Sequence, residues 1–436
     1  MVDLSANFLG IKSPNPFWLA SAPPTDRKTN VERAFRAGWG GVVWKTLGEA
    51  GPPVVNVSGA RYGATYGPDR RLIAMNNIEL ITDRDLEINL REIKEVKRAW
   101  PDRALVTSLM VPCDEESWRA ILARVDETEC DGVELNFGCP HGMSERGMGS
   151  AVGQVPEYIE MVVRWCKAHT RMPVIVKLTP NVANIRAPAH AVLKGGGDAV
   201  SLINTVNSIM GIDLDAMAPQ HAIDGMGTHG GMCGPGVKPI ALAMVAEIAR
   251  DPLTAELPIS AIGGVTTWRD AAEFMALGAH NVQVCTAAMT YGFKIIDELT
   301  SGLKTFMAAK GYSRIEDFRG RAARKVTDWQ HLNLNYVVKA EIDQDLCIKC
   351  GRCYIACEDT SHQAIFPIVD GKRKFVVNDA ECVGCNLCAL VCPVESCITL
   401  VHKTEGVDPR TGLDYAQPPR PWTKHPSNPA ARAAAE

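Results

Sequence analysis

Two cysteine runs of one spacing stand near the end of the sequence: Cys347-x2-Cys350-x2-Cys353-x3-Cys357 and Cys382-x2-Cys385-x2-Cys388-x3-Cys392-Pro393. This is the spacing of two-cluster ferredoxins, where three close thiolates hold one iron–sulfur cube and the fourth crosses to the other. The expected ligands of one [4Fe–4S] cluster are therefore Cys347, Cys350, Cys353 and Cys392. Those of the second are Cys382, Cys385, Cys388 and Cys357. A zinc module is the alternative, and a doubled eleven-residue pattern fits it poorly. Glu358, not proline, follows Cys357, which bears on the local turn rather than on ligation. Cys397 reads as a packed thiol. The chemistry implied is one-electron transfer.

A second candidate centre lies at residues 132–153, GVELNFGCPHGMSERGMGSAVG. Val133, Leu135 and Phe137 alternate with Glu134 and Asn136, the pattern of a strand. The strand breaks into a run with five glycines from Gly138 to Gly153, carrying Cys139, His141 and Arg146. Such a run reads as a mobile cover. A thiol at a strand end, just before a hinged loop, suits a proton donor closed over its substrate. The plainer alternative is a small buried hydrophobe.

These groups need a scaffold. From residue 15 to about 310, short apolar runs alternate with amphipathic ones. Candidate strands are 17–21, 41–46, 104–109, 132–136, 173–178, 199–204, 258–263 and 281–285, with helical patterns between most of them, such as 86–99, 115–128, 156–169, 239–250 and 269–277. Eight strand–helix units predict an α/β fold, a (β/α)8 TIM barrel. A doubly wound sheet would want G-x-G-x-x-G after an early strand, and none stands in that setting. Residues 47–80 form a long Gly-, Pro- and Tyr-rich excursion after the second strand, on the side where barrels build their active face. The expected organisation is a barrel over 1–310, a connector over 311–340, a two-[4Fe–4S] ferredoxin-like domain over 341–402 and a poorly ordered tail over 403–436.

Composition agrees. The 436 residues suffice for one large and one smaller domain. A net charge of -4 offers no footprint for nucleic acid. The start, MVDLSANFLGIKSPNPF, lacks the basic and apolar regions of a signal peptide, and no apolar run is long enough to span a bilayer. The sequence thus reads as cytoplasmic, with no membrane partner. In that reducing compartment 15 cysteines are ligands or catalytic groups rather than disulfides.

A redox cofactor is expected on the barrel, to exchange electrons with the clusters. Ile262-Gly263-Gly264 ends the seventh strand and Cys285-Thr286 the eighth, and small residues there expose backbone N–H groups to a phosphate. Lys45 and Lys177 end the second and fifth strands. Each alone could be a solvated lysine; together with the phosphate site they fit FMN, with one ammonium beside the ring as it becomes negative.

The motifs Asn76-Asn77-Ile78-Glu79-Leu80-Ile81, Asn136-Phe137-Gly138-Cys139-Pro140-His141-Gly142, Lys177-Leu178-Thr179-Pro180-Asn181 and Asn204-Thr205-Val206, with the fused ferredoxin module, resemble the dihydropyrimidine dehydrogenases. The resemblance covers about residues 5–402 and is to the catalytic subunit of the two-component bacterial enzyme. It implies reduction of uracil and thymine to their 5,6-dihydro forms, with hydride to ring C6 and a proton from Cys139 to C5. It implies that Asn77, Asn136, Asn204 and Thr205 hold the pyrimidine, with Glu79, Ile81, Phe137 and Gly138 close by. It assigns Ser21, Lys45, Thr46, Lys177, Gly234, Ile262, Gly263, Gly264, Cys285 and Thr286 to FMN. Asparagine carboxamides both donate and accept, which suits a pyrimidine edge, although an isolated Asn at a strand end is more often a cap. His141 and Arg146 would gate the loop or lie at the surface. Gly138 stands where family members carry serine, so one polar contact is expected to be missing. The resemblance also implies a separate flavoprotein subunit carrying FAD and oxidising NAD(P)H, and a homodimer or heterotetramer.

Two other readings compete. A dihydroorotate-dehydrogenase-like enzyme shares the FMN barrel, but orotate brings a carboxylate that wants a cation. An electron-carrier subunit with an idle barrel would hold clusters and no FMN.

Overall fold

β-Branched and aromatic residues crowd the eight short runs, and all eight become strands in the computed structural model, which describes residues 2–140 and 143–433. They are β1 (Phe17–Leu19), β2 (Gly41–Leu47), β3 (Ala104–Leu109), β4 (Gly132–Asn136), β5 (Val174–Lys177), β6 (Ala199–Leu202), β7 (Ile259–Ile262) and β8 (Asn281–Val284). Each pairs in parallel with its neighbour in sequence, and β8 closes onto β1 with Val284 opposite Leu19. Parallel strands covered on both faces read as near-continuous apolar runs, which is why Val174-Ile175-Val176 shows no alternation of polarity. Helices return the chain between strands. Leu86–Ala99 and Glu115–Asp126 start where Asp85 and Asp114 accept backbone N–H groups of the first turn.

The two-residue period of the strands sorts the barrel interior into levels. Outward residues such as Val133, Leu135, Val174, Val176, Val282 and Val284 join the main core beneath the helices. Inward residues at the strand starts form a separate apolar floor of Trp18, Val43, Ala104, Val106, Ile175 and Ala199. The hairpin of Ala6–Phe8 and Ile11–Ser13 plugs it, with Phe8 edge-on to Trp18 at 5.9 Å. Above the floor the interior turns polar. Glu134 Oε2 accepts from Ser201 Oγ at 2.8 Å and from Gln283 Nε2 at 3.0 Å.

The excursion after β2 forms sheet structure. Tyr62–Tyr66 and Leu72–Asn77 make a hairpin that continues through Gly230–Cys233 to Val206–Ser208, a four-stranded antiparallel sheet. Asn77 thereby stands between Tyr62 and Gly231. The sheet is assembled from segments far apart in sequence, so no local pattern announces it.

The chain divides into two compact units at Val326/Thr327, inside the expected connector. In the second unit Val338–Ile342 pairs antiparallel with Ile398–His402, and Ile365–Asp370 with Lys372–Val377. The two cysteine runs take the same path. Lys349 and Gly351 flank Cys350 with φ of 64° and 82°, and Gly384 and Asn386 flank Cys385 with φ of 70° and 71°. Left-handed residues on each side of the middle cysteine curl both runs around a centre. Where a loose tail is expected, Asp408 is 3 % exposed and accepts from Thr411 N at 2.9 Å, so the segment after His402 packs around a buried carboxylate. Among the described residues no helix is long and apolar enough to cross a membrane.

Candidate active site

Polar side chains line the cavity at the C-terminal ends of the strands, where each strand's last inward position falls. β2 bulges between Trp44 and Leu47, and the bulge lets the consecutive Lys45 and Thr46 both border the cavity. Thr46 Oγ1 lies 3.1 Å from Ser21 Oγ and 2.9 Å from Ser108 Oγ, and accepts from Asn136 Nδ2 at 3.0 Å. Asn136 Oδ1 in turn accepts from Asn204 Nδ2 at 3.0 Å. A continuous chain Ser21–Thr46–Asn136–Asn204 thus crosses four barrel segments. Asn77 is held separately: its amide donates to Gly231 O at 3.0 Å and its carbonyl accepts from Glu79 N at 3.2 Å.

Both lysines are buried, at 4 % and 5 % exposure, so neither is a solvated strand-end residue. Lys45 Nζ lies 2.8 Å from Glu79 Oε1 and 3.8 Å from Asp26 Oδ2. Lys177 Nζ lies 3.6 Å from Glu134 Oε1. Arg61 Nη1 and Tyr62 Oη approach the other Glu79 oxygen at 3.2 and 3.3 Å. Burial alone would raise the Glu79 carboxyl, but Lys45 and then Arg61 outweigh it and hold it below the usual value. Burial raises Asp26 against the opposing pull of Lys45. Burial, with a smaller push from Cys233, moves the Cys285 thiol up to about 12, so it stays protonated at neutral pH.

The cavity encloses about 1110 Å³ including its open mouth. The residues present suit FMN. Gly263 and Gly264 have φ of 129° and 74°, and a Cβ on them would stand 2.7 Å from Ala241 Cβ and 2.8 Å from Lys238 Cβ. Only glycine fits that turn, because a side chain on either residue would collide with its protein neighbours. Gln283 Oε1, buried and bordering the cavity, has no hydrogen-bond partner among the described residues, an acceptor that a ring N–H would satisfy.

Cys139, Asn77, Glu79, Ile81, Asn136, Asn204 and Thr205 border this cavity, together with Ser21, Lys45, Thr46, Lys177, Gly234, Ile262, Gly263, Gly264, Cys285 and Thr286. Three of the expected site residues do not border it. Phe137 is 1 % exposed and packs edge-on against Trp118, because the alternation that brings Asn136 inward turns its successor out. Gly138 abuts the Asn204 side chain instead of bordering the cavity. Arg146, expected to gate the loop or lie at the surface, is exposed, pairs with Glu49 at 3.0 Å and borders a neighbouring cavity. His141 lies outside the described residues. Tyr62, Met75, Met232, Cys233 and Gln283 also border the main cavity. Most of these were missed because they sit on the four-stranded sheet; Gln283, inward in an apolar strand, was legible.

The second unit has two smaller cavities. One is bordered by Cys347, Cys350, Cys353 and Cys392, the other by Cys357, Cys382, Cys385 and Cys388. In each, three thiols come from one run and the fourth from the other. Ala364 N donates to Cys357 Sγ at 3.3 Å and Ala340 N to Cys382 Sγ at 3.5 Å, the kind of bond that stabilises a ligating thiolate. Cys397 is buried and borders the first cavity as a fifth thiol, donating to Asp343 O at 3.7 Å.

Comparison with known proteins follows the same division. The dihydroorotate dehydrogenase family model matches residues 85–307, and the 4Fe-4S dicluster domain matches residues 340–400. The chain is 38% identical over 398 residues to the NAD-dependent dihydropyrimidine dehydrogenase subunit PreA of Escherichia coli K12, covering 91% of this chain and 95% of that protein. It is 40% identical over 356 residues to the chloroplastic dihydropyrimidine dehydrogenase (NADP(+)) of Arabidopsis thaliana, covering 80% of this chain and 83% of that one. A crystal structure of DHODH from Eimeria tenella superposes with a TM-score of 0.59 over 74% of this chain and 89% of that chain at 19% identity, which shows the fold alone.

Proposed function

The chain belongs to the dihydropyrimidine dehydrogenase family, oxidoreductases that join a barrel of the dihydroorotate dehydrogenase family to a 4Fe-4S dicluster domain, and we propose that it reduces uracil or thymine across the 5,6 bond. The observation that carries this reading is the convergence of Asn77, Asn136, Asn204, Thr205 and the Cys139 thiol on one cavity. Carboxamides tied to one another are fixed in orientation, so they present a set pattern of donors and acceptors to a ring edge. The ionised Glu79 adds an acceptor for a ring N–H. Cys139 holds the proton for C5. It packs among Ile81, Met110, Met143 and Met148. Ser150 N donates to Cys139 O at 3.1 Å, and Met143 and Met148 pack against the thiol and keep water from it.

FMN held in this cavity would supply the hydride chemistry for ring C6 and the capacity to exchange single electrons with the clusters. Gly234, Gly263, Gly264 and Thr286 would hold its phosphate end, and Ser21, Thr46, Lys45 and Lys177 its ring. Cys347, Cys350, Cys353 and Cys392 would hold one [4Fe–4S] cluster and Cys382, Cys385, Cys388 and Cys357 the other. Electrons would arrive from a separate FAD-containing, NAD(P)H-oxidising subunit. The E. coli relative's name calls that protein a subunit of an NAD-dependent enzyme, and the same division of labour suits this chain.

The match to the dihydroorotate dehydrogenase family favours a second reading, oxidation of dihydroorotate. The charges speak against it. Lys45 faces Glu79 and Asp26, and Lys177 faces Glu134, so both cavity ammoniums are already paired where orotate's carboxylate would need one. The relation to PreA also spans 398 residues, a length that must run through both units.

The test is to reduce the anaerobic holoprotein chemically and follow the flavin spectrum as uracil, thymine or orotate is added. Rapid reoxidation by uracil or thymine alone is expected. Reoxidation by orotate alone would establish the second reading, and protein that binds no flavin after reconstitution would leave an idle barrel.

A further inference from the structure

Lys339, on the strand Val338–Ile342, has a side chain only 1% exposed, and it is the one buried lysine or arginine among the described residues from 327 on. An ammonium has three N–H groups, and three acceptors surround this one. They are Asp379 O at 2.8 Å, Cys382 O at 2.7 Å and Asp408 Oδ2 at 2.7 Å. Cys382 also borders the cavity of the second cysteine group, and its Sγ accepts from the next residue of the same strand, Ala340 N, at 3.5 Å. One strand therefore touches one thiol residue twice, with a charge at its carbonyl and an N–H at its sulfur. Asp408 is fixed just as firmly. Its Oδ1 accepts from Arg410 N at 3.0 Å, Thr411 N at 2.9 Å and Thr411 Oγ1 at 3.1 Å, so its own turn holds it against the ammonium.

A [4Fe–4S] cluster becomes more negative by one charge when it takes an electron. A nearby buried cation stabilises the reduced form and an anion the oxidised form, with little solvent to screen either. No buried cation borders the cavity of Cys347, Cys350, Cys353 and Cys392 among the described residues. We propose that the Lys339–Asp408 pair is a positioning element that sets the reduction potential of the cluster held by Cys357, Cys382, Cys385 and Cys388, independently of the other cluster. The segment after His402 is then part of the electron path's tuning rather than a tail. This rests on the two-cluster reading above.

The experiment is a redox titration of the full-length holoprotein with dithionite, monitored by EPR so that the two clusters are followed separately. Asp408→Asn keeps an acceptor for Arg410 N and Thr411 while removing the negative charge. At a fixed potential its reduced-to-oxidised ratio is expected to rise about tenfold at one cluster, about 59 mV more positive for one electron, with the other unmoved. Lys339→Gln is expected to shift the same cluster the opposite way. The double variant removes both charges and is expected to return close to the wild-type value; a merely structural pair has no reason to produce shifts of opposite sign that cancel. The double variant, carrying no unpaired buried charge, also serves where a single variant loses iron. Unmoved potentials in every variant that retains iron, or equal shifts at both clusters, would overturn the proposal. Wild-type protein lacking the iron, sulfide and two reducible centres of a dicluster domain would instead sink the two-cluster reading, and the proposal with it.

Discussion

Cys139 and Gly138 are neighbours with opposite constraints. The thiol borders the cavity but is only 8% exposed, the setting of a group that donates a proton and stays out of bulk water. Cys139→Ala is expected to retain FMN and both clusters, bind pyrimidine almost normally and lose about 10²–10⁴-fold in turnover, the usual contribution of a general acid. Binding titration beside single-turnover kinetics separates these effects, and wild-type turnover would remove Cys139 from the reaction. Gly138, expected to lack a polar contact, in fact makes room for another residue. A Cβ there would stand 2.6 Å from Asn204 Nδ2 and 2.8 Å from its Cγ. Gly138→Ser should therefore displace Asn204 and break its bond to Asn136. One hydrogen bond is worth about 1 kcal/mol, so KM for uracil is expected to rise roughly five- to tenfold with a smaller change in kcat. A lower KM in the serine variant would show that the hydroxyl's own contact matters more.

At the scale of elements, the barrel works by stacking unlike levels on one set of strands. β4 carries Glu134 into the polar interior and Asn136 into the cavity two residues later; β5 carries Ile175 into the floor and Lys177 to the mouth. The floor has its own titration. His280, just before β8, accepts at Nδ1 from Ile259 N at 3.4 Å and packs against Phe8. Burial, aided by Arg319, lowers its pKa from 6.5 to about 4. The folded form thus binds the proton less readily than the unfolded chain. Stability is full above about pH 6.5 and is lost as the pH falls towards about 4, by up to about 3 kcal/mol. His280→Asn keeps an acceptor and cannot titrate. Thermal unfolding of the barrel from pH 7 to 4 should fall less steeply in this variant, and parallel curves would refute the assignment.

At the scale of the whole molecule, two units of different chemistry lie on one chain, and each can be disabled without touching the other's residues. Cys350 is an exposed thiol of the first cysteine group. Cys350→Ser is expected to lose one cluster and the activity driven by the partner reductase. The chemically reduced flavin of the same variant should still be reoxidised by uracil. Iron analysis with the two assays checks this. Undiminished partner-driven turnover would place that cluster off the electron path.

The sequence by itself determined the barrel and the grouping of the cysteines around two cavities, for physical reasons. Strands buried on both faces must be short apolar runs, so all eight were visible in order, and ligand spacing is fixed by the size of the cube it wraps. Strand ends carried most of the cavity residues, since alternation decides which side chain turns inward. Only the tertiary structure decided the rest. It paired Lys45 with Glu79 and Asp26, turned Phe137 into the core, and built the sheet that brings Tyr62, Asn77 and Cys233 to the mouth. It also brought Asp408 onto Lys339, 69 residues earlier in the sequence. Ion pairs and antiparallel neighbours distant along the chain leave no periodic mark on it, because what selects them is shared burial rather than spacing.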